Sequence, residues 1–144
     1  MTTNTRPTCW RIALPAETTL INANDRMHPA RRASFTKVIR QAAWAMARHA
    51  KTPQLQRAHI LYVIHPDLKA RRRDPGNWAP SAKAAVDGLI DAGVLPDDDH
   101  THLIGPDPRI GTPIKGAQLV LYVTDLEQLH PDHIALLEPP GDAS

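Results

Sequence analysis

The chain has 144 residues, 42% of them hydrophobic and 22% charged, which is enough for one domain with its own core and too few for two. Seventeen Lys and Arg against 15 Asp and Glu leave a net charge of +2, so any nucleic-acid binding has to come from local clusters rather than the overall field. A single cysteine, Cys9, excludes an internal disulfide framework and a cysteine-based metal site.

In chain order, the first nine residues are expected to be unstructured. The N-terminal segment has no apolar run suited to a signal peptide, and no stretch approaches the ~20 apolar residues of a membrane span. With one cysteine, a soluble cytoplasmic protein is expected, with no membrane partner. WRIALP (Trp10 to Pro15) alternates and predicts a first strand. The following stretch through Ala33 is rich in Asn, Asp and Pro and predicts a loop. Phe35, Val38, Ile39, Ala42, Ala43, Met46 and Ala47 then recur at the spacing of an amphipathic helix, with Ser34 as its N-cap.

The apolar run Ile60 to Ile64 predicts a central strand covered on both faces. A second helix is expected from about Ser81 to Ala92, with Pro80 at its opening and Gly93 at its C-terminal cap. HTHLIGPDPRIG predicts a third strand interrupted at Gly105-Pro106, with His100 and His102 alternating on it. AQLVLYVTDL (Ala117 to Leu126) predicts a fourth strand, and the GTPIKG turn before it points to a hairpin of strands three and four. The tail, residues 127–144, is expected to be weakly ordered. The order β-α-β-α-β-β gives a mixed α/β (α+β) domain over residues 10–126, two helices packed on a four-stranded mixed sheet. Scarce aromatics, 4%, make its core aliphatic.

Charge is concentrated at the two ends of the second helix. Before it stands RRRDPGN (Arg71 to Asn77); after it stands PDDDH (Pro96 to His100). If the loops bring these together, Asp74 and the Asp97–Asp99 run become carboxylates that repel one another unless a cation sits between them. Hard oxygen ligands suit Mg²⁺ or Mn²⁺. The alternative is a solvated acidic turn, with Asp74 paired to its neighbouring arginines. Arg71, Arg72, Arg73 and Lys69 are candidates to hold a phosphate backbone, as is a second basic group of Arg26, Arg31, Arg32 and Lys37. Lys83, in the first turn of the second helix, is a candidate electrophile or an i, i+4 partner of Asp87. Trp78 belongs either to the core or to a base-stacking surface. The eight histidines form no defensible zinc pattern, and there is no P-loop or GxGxxG.

These residues, in this order, resemble the RusA family of Holliday junction resolvases, above all its phage and prophage members. The family pattern is a basic run, Asp-x-Asp-Asn, a lysine in the following helix, then D-x-L-x-x-A-G and an Asp-Asp pair. Here these positions are RRRD ending at Asp74, Asn77, Lys83, DGLIDAG from Asp87 to Gly93, and Asp97-Asp98. NANDRMH (Asn22 to His28) resembles the family's Asn-rich segment ahead of its first helix, and GAQLVLYVTD its terminal strand. The resemblance implies a homodimeric endonuclease that binds four-way DNA junctions and makes paired, Mg²⁺-dependent nicks. It implies Asp74 and Asp98 as metal ligands, Asp97 as the acidic neighbour and Lys83 as the catalytic lysine. Gly76 stands where the second Asp of the motif is expected, and the stretch from Asn77 to Lys83 is longer than usual. Asn77, Asp97 or Asp99 would have to complete the metal site. The departure at Gly76 leaves a second expectation, a branched-DNA binding protein without catalysis, and a more distant third, a small regulatory or dimerisation domain.

Overall fold

The computed structural model describes residues 7–70 and 75–139. Most of the N-terminal segment (residues 1–6), residues 140–144, and the candidates Arg71, Arg72, Arg73 and Asp74 lie outside them. The described chain runs β1 (Cys9–Ala13), α1 (Pro29–His49), β2 (Ala58–His65), a 3-10 turn (Pro75–Trp78), α2 (Ala79–Asp91), β3 (Leu103–Ile110), β4 (Gln118–Asp125), a second 3-10 turn (Leu126–Gln128) and α3 (Pro131–Leu137). It is one small mixed α/β domain with a four-stranded mixed sheet. Among the described residues no helix is long and apolar enough to cross a membrane.

The sheet order is β1-β4-β2-β3. β4 lies antiparallel to both β1 and β2, whereas β3 pairs with β2 in parallel. The expected β3–β4 hairpin is therefore wrong: the two strands flank β2 on opposite sides. A parallel pair needs a crossover, and α2 supplies it between β2 and β3. The 111–117 segment then has to cross the end of β2 to reach its far side. It is held there by the Ile114 amide on the Pro66 carbonyl (2.9 Å) and the Leu68 amide on the Ile114 carbonyl (3.1 Å). The Asp67 carboxylate closes the crossing, accepting from the Gly116 amide (2.8 Å) and the Lys69 amide (3.2 Å). These amide hydrogen bonds, Gly116 first, hold Asp67 below the usual carboxylate range.

Register sorts the side chains. Trp10, Val123 and Ile60 share one row, and Ile12, Leu121 and Tyr62 the next, all buried on the helix-covered face. Ile39, Ala43 and Ala47 of α1 and Ala82, Ala85, Val86 and Leu89 of α2 close the core over them. The core is aliphatic apart from Trp10 and Tyr62. On the opposite face Leu61, Val63 and His65 are half-buried, so β2 is internal to the sheet but covered by helices on one face only. Its unbroken apolar run reflects lateral shielding by β4 and β3, not a second layer. The interruption expected at Gly105-Pro106 is a slip in the β2–β3 register between His59 and Leu61 within a continuous β3. Across the slip the His59 ring meets the Asp107 carboxylate at 2.7 Å.

Helix starts differ from expectation. α1 begins at Pro29, not after Ser34, because the His28 ring accepts from the Ala30 amide (3.1 Å) and caps the helix. Proline at the first position sacrifices no hydrogen bond there. α2 begins at Ala79, and Gly93, at φ +80°, turns the chain just past its end as expected. His100 and His102 lie in the turn before β3 rather than on it; His102 Nδ1 meets the Gln56 carbonyl at 2.8 Å. Beyond β4 the chain forms α3, whose Glu138 flank pairs with Arg57 at 2.9 Å.

The Asn-rich loop is stitched to the start of α2. Ser81 is fully buried; its hydroxyl accepts from the Ile21 amide (2.6 Å) and donates to the Ile21 carbonyl (2.8 Å). Ser81→Ala leaves both backbone groups buried and unpaired, so a loss of about 1–3 kcal/mol is expected in urea unfolding. A stability change within ~0.5 kcal/mol of wild type, the range of ordinary surface substitutions, would show that this tie is dispensable.

Candidate active site

α2 carries the site. Because α2 starts at Ala79, Pro80 lies in its first turn and Lys83 at the start of its second, not in the first turn as expected, on the side that lines the groove with β3 residues. The chain past α2 buries Val94 and Leu95, then turns back through Asp97–Asp99 before β3. That return brings the Asp98 carboxylate to 3.6 Å from the Lys83 ammonium, with Asp87 Oδ1 at 3.9 Å on its other side. Of the two alternatives read for Lys83, the i, i+4 pairing with Asp87 is present, and the ammonium also reaches the acidic turn. Lys83 is largely exposed and Asp98 about half so, so this is a solvent-accessible pair that contributes little to stability.

The pair edges an open groove of about 650 Å³ between α2 and the β2–β3 edge, lined by Tyr62, Pro80, Val86 and Pro106. Asp98 also lines a second groove, about 570 Å³, with Arg57, His100 and Glu138. It thus stands on the ridge between two concave surfaces, open to a ligand from either.

The three aspartates have different duties. Asp97 Oδ1 accepts from the Asp98 amide (2.7 Å). Asp99 accepts from the Thr101 hydroxyl (2.5 Å) and amide (3.0 Å), and the hydroxyl bond chiefly holds its carboxyl below the usual range. Asp97 and Asp99 shape the turn; Asp98 faces the grooves. Asn77 sits in the 3-10 turn, half-buried, its carbonyl accepting from the Ala23 amide (2.6 Å). Through that bond and Ser81, the NANDRMH segment abuts the entrance to α2. Trp78, half-buried, packs against the core, in line with the first of its two readings.

Among the described residues no three His, Cys, Asp or Glu side chains are grouped to hold a metal ion. Asp98 is a hard oxygen donor of the right chemistry, accessible and adjoined by a displaceable ammonium. Its intended companion, Asp74, directly precedes the 3-10 turn in the chain and lies outside the described residues.

The basic candidates separate into two regions. Lys69 is exposed beside the Asp67 crossing. Arg26 is exposed ahead of α1, Arg31 stacks on Phe35 (5.4 Å to the ring centre), and Arg32 and Lys37 line a shallow groove on α1. Sequence reading left Asp67 and the buried Ser81 without a role; single hydrogen-bonding residues have no periodicity to reveal them. The chain matches no protein-family model and no curated protein.

Proposed function

We propose that the protein is a cytoplasmic, metal-dependent, structure-selective DNA endonuclease that resolves four-way junctions by paired phosphodiester hydrolysis, acting as a homodimer. The observation that carries this reading is the meeting of Lys83 and Asp98 on the groove beside α2. Fifteen residues apart in sequence, they belong to the acidic-basic set that resembles the RusA motif, of which Asn77, Asp87 and Asp97 are also described.

In this reading Asp98 and Asp74 would hold Mg²⁺ or Mn²⁺, with Asn77, Asp97 or Asp99 completing the set, and the ion would supply an activated water and neutralise charge on the phosphate. The chain's own residues do the rest. The Lys83 ammonium approaches a non-bridging phosphate oxygen and stabilises the charge that develops there. Asp87, 3.9 Å away, keeps that ammonium over the groove. Lys69 and Arg71, Arg72 and Arg73 position the backbone through phosphate contacts. A two-fold dimer matches a junction's two equivalent strands.

A second reading, a branched-DNA binder that does not cut, is favoured by Gly76 in place of the motif's second carboxylate and by Asp98 being the one described member of its aspartate run that faces the grooves. One experiment separates the two. Incubation of the protein with an end-labelled synthetic four-way junction in Mg²⁺ should give nicks at symmetry-related positions, none in chelator, and none on a linear duplex of the same sequence. Tight junction binding without nicks in either Mg²⁺ or Mn²⁺ would establish the non-cutting reading; absence of binding at moderate salt would overturn both.

A further inference from the structure

We propose that the solvent face of α1 is a second nucleic-acid surface, separate from the groove, that holds the phosphate backbone of a duplex arm. This rests on the DNA-directed reading above and adds to it a surface and a binding mode.

The charge distribution points to it. Between Asp25 and Asp67 the chain has no Asp or Glu but eight Lys and Arg, of 17 in all. The rest of the chain is accordingly net acidic, which the overall +2 conceals. Within α1 the cations are Arg31, Arg32, Lys37, Arg40 and Arg48. Arg40 is neutralised by a two-pronged pair with Asp91 of α2 (2.5 and 2.8 Å). The other four make no ion pair among the described residues. Asp87, the other α2 carboxylate, lies beside Lys83.

Their placement works against the helix itself. Arg31 and Arg32 occupy the first turn, at the positive end of the helix dipole, with no acidic residue there to compensate. An anionic partner relieves that repulsion. The two end arginines are also pre-positioned. Arg31 stacks on Phe35 (5.4 Å) and Arg48 on Trp44 (5.2 Å), and Trp44 remains 41% exposed. A stacked guanidinium keeps its N–H fork free for phosphate oxygens. From Arg31 to Arg48 the helix runs about 25 Å at ~1.5 Å per residue. Duplex DNA presents one charge per ~1.7 Å of axis, and Lys37 and Arg48, eleven residues apart and so only about 20° apart around the helix, face a single arm together.

A membrane surface is the weaker match. The apolar positions Ile39, Ala43 and Ala47 are spent on the core, leaving Val38 and Trp44 as the large exposed apolar side chains of α1. Interfacial helices instead turn a wide apolar face to the lipid. α1 contacts β1 whereas α2 contacts β3, so this surface and the Lys83–Asp98 groove lie on opposite flanks of the helix layer. A junction, with four arms, can engage both.

The test is the salt dependence of binding to a four-way junction and to a plain duplex. The wild type is compared with Lys37→Ala/Arg48→Ala and with Arg109→Ala, an exposed cation on β3, after matched thermal melts establish that all three are folded. The α1 double variant should bind both DNAs more weakly, and its slope of log K against log salt should be shallower by about 2. Arg109→Ala should leave the slope unchanged. A wild-type protein that binds junctions while the double variant keeps the full slope overturns the α1 surface and leaves the nuclease reading intact. An equal loss from Arg109→Ala overturns it too, since the binding is then not localised. Loss of binding to anionic vesicles with the DNA slope unchanged would assign the face to a membrane instead. If the wild type binds no DNA, both readings fall.

Discussion

Asp98→Asn should reduce single-turnover cleavage of a four-way junction by at least about 100-fold while leaving junction binding intact or slightly tighter. The size follows from the carboxylate's proposed role. A metal-centred site supplies several kcal/mol of transition-state stabilisation, and each ~1.4 kcal/mol is a factor of ten in rate. The amide preserves the shape and removes the charge that would hold the ion. Binding survives because one negative charge facing the phosphates has gone. Folding survives because the Asp98 side chain is about 40% exposed and its partner Lys83 retains Asp87 at 3.9 Å. Asp97→Asn is the informative contrast. Its oxygen already accepts from the Asp98 amide at 2.7 Å, and an asparagine oxygen makes the same bond, so the rate should fall far less. Equal losses at the two positions would mean that Asp97 binds the ion too. An Asp98→Asn protein that cuts at the wild-type rate would remove Asp98 from the chemistry.

How much of this was legible beforehand differs between sheet, turns and site. β2 and β4 announce themselves through runs of β-branched and aliphatic residues, and α1 and α2 through the 3.6-residue recurrence of Ile39, Ala43 and Ala47 and of Ala82, Val86 and Leu89. The mixed α/β class followed from those four elements. Strand order did not. GTPIKG looks like hairpin material because a short turn between two strands normally makes one, and nothing local reveals that β4 slots between β1 and β2. That outcome depends on the crossing that Asp67 and Ile114 secure. The start of α1 was missed because histidine is not among the usual capping residues, yet the His28 ring presents an acceptor in the right place. At the site, the charge reversal across α2 pointed to a meeting of Asp74, which lies outside the described residues, with the Asp97–Asp99 run; the contact of Lys83 with Asp98 was not foreseen. Spacing could not separate the duties of three consecutive aspartates, since backbone turn geometry decides which carboxylate caps an amide and which faces outward.

The largest expected effect on stability comes from a residue inside the DGLIDAG segment that plays no part in the chemistry. Gly88→Ala should destabilise the fold by about 3 kcal/mol, near the upper end of overpacking effects. Helix propensity argues the other way: alanine is favoured over glycine in a helix interior by roughly 1 kcal/mol. Packing decides the sign. A Cβ at position 88 would stand 2.2 Å from the Arg40 carbonyl oxygen and 2.9 Å from the Ala43 Cβ. The first of these is backbone, so no side-chain rotation relieves it; α1 and α2 have to separate. Separation loosens Ile39, Ala43 and Leu89, all buried, and pulls at the Arg40–Asp91 pair, whose arginine holds the Asp91 carboxyl below its usual range. For a domain of this length, ~3 kcal/mol corresponds to a fall in Tm on the order of 10 °C. Ala43→Gly in the same chain should restore only part of it, because it removes the Cβ contact and leaves the carbonyl. A Gly88→Ala protein that melts at or above the wild-type temperature would mean that the helices part at no cost and that propensity rules at this contact.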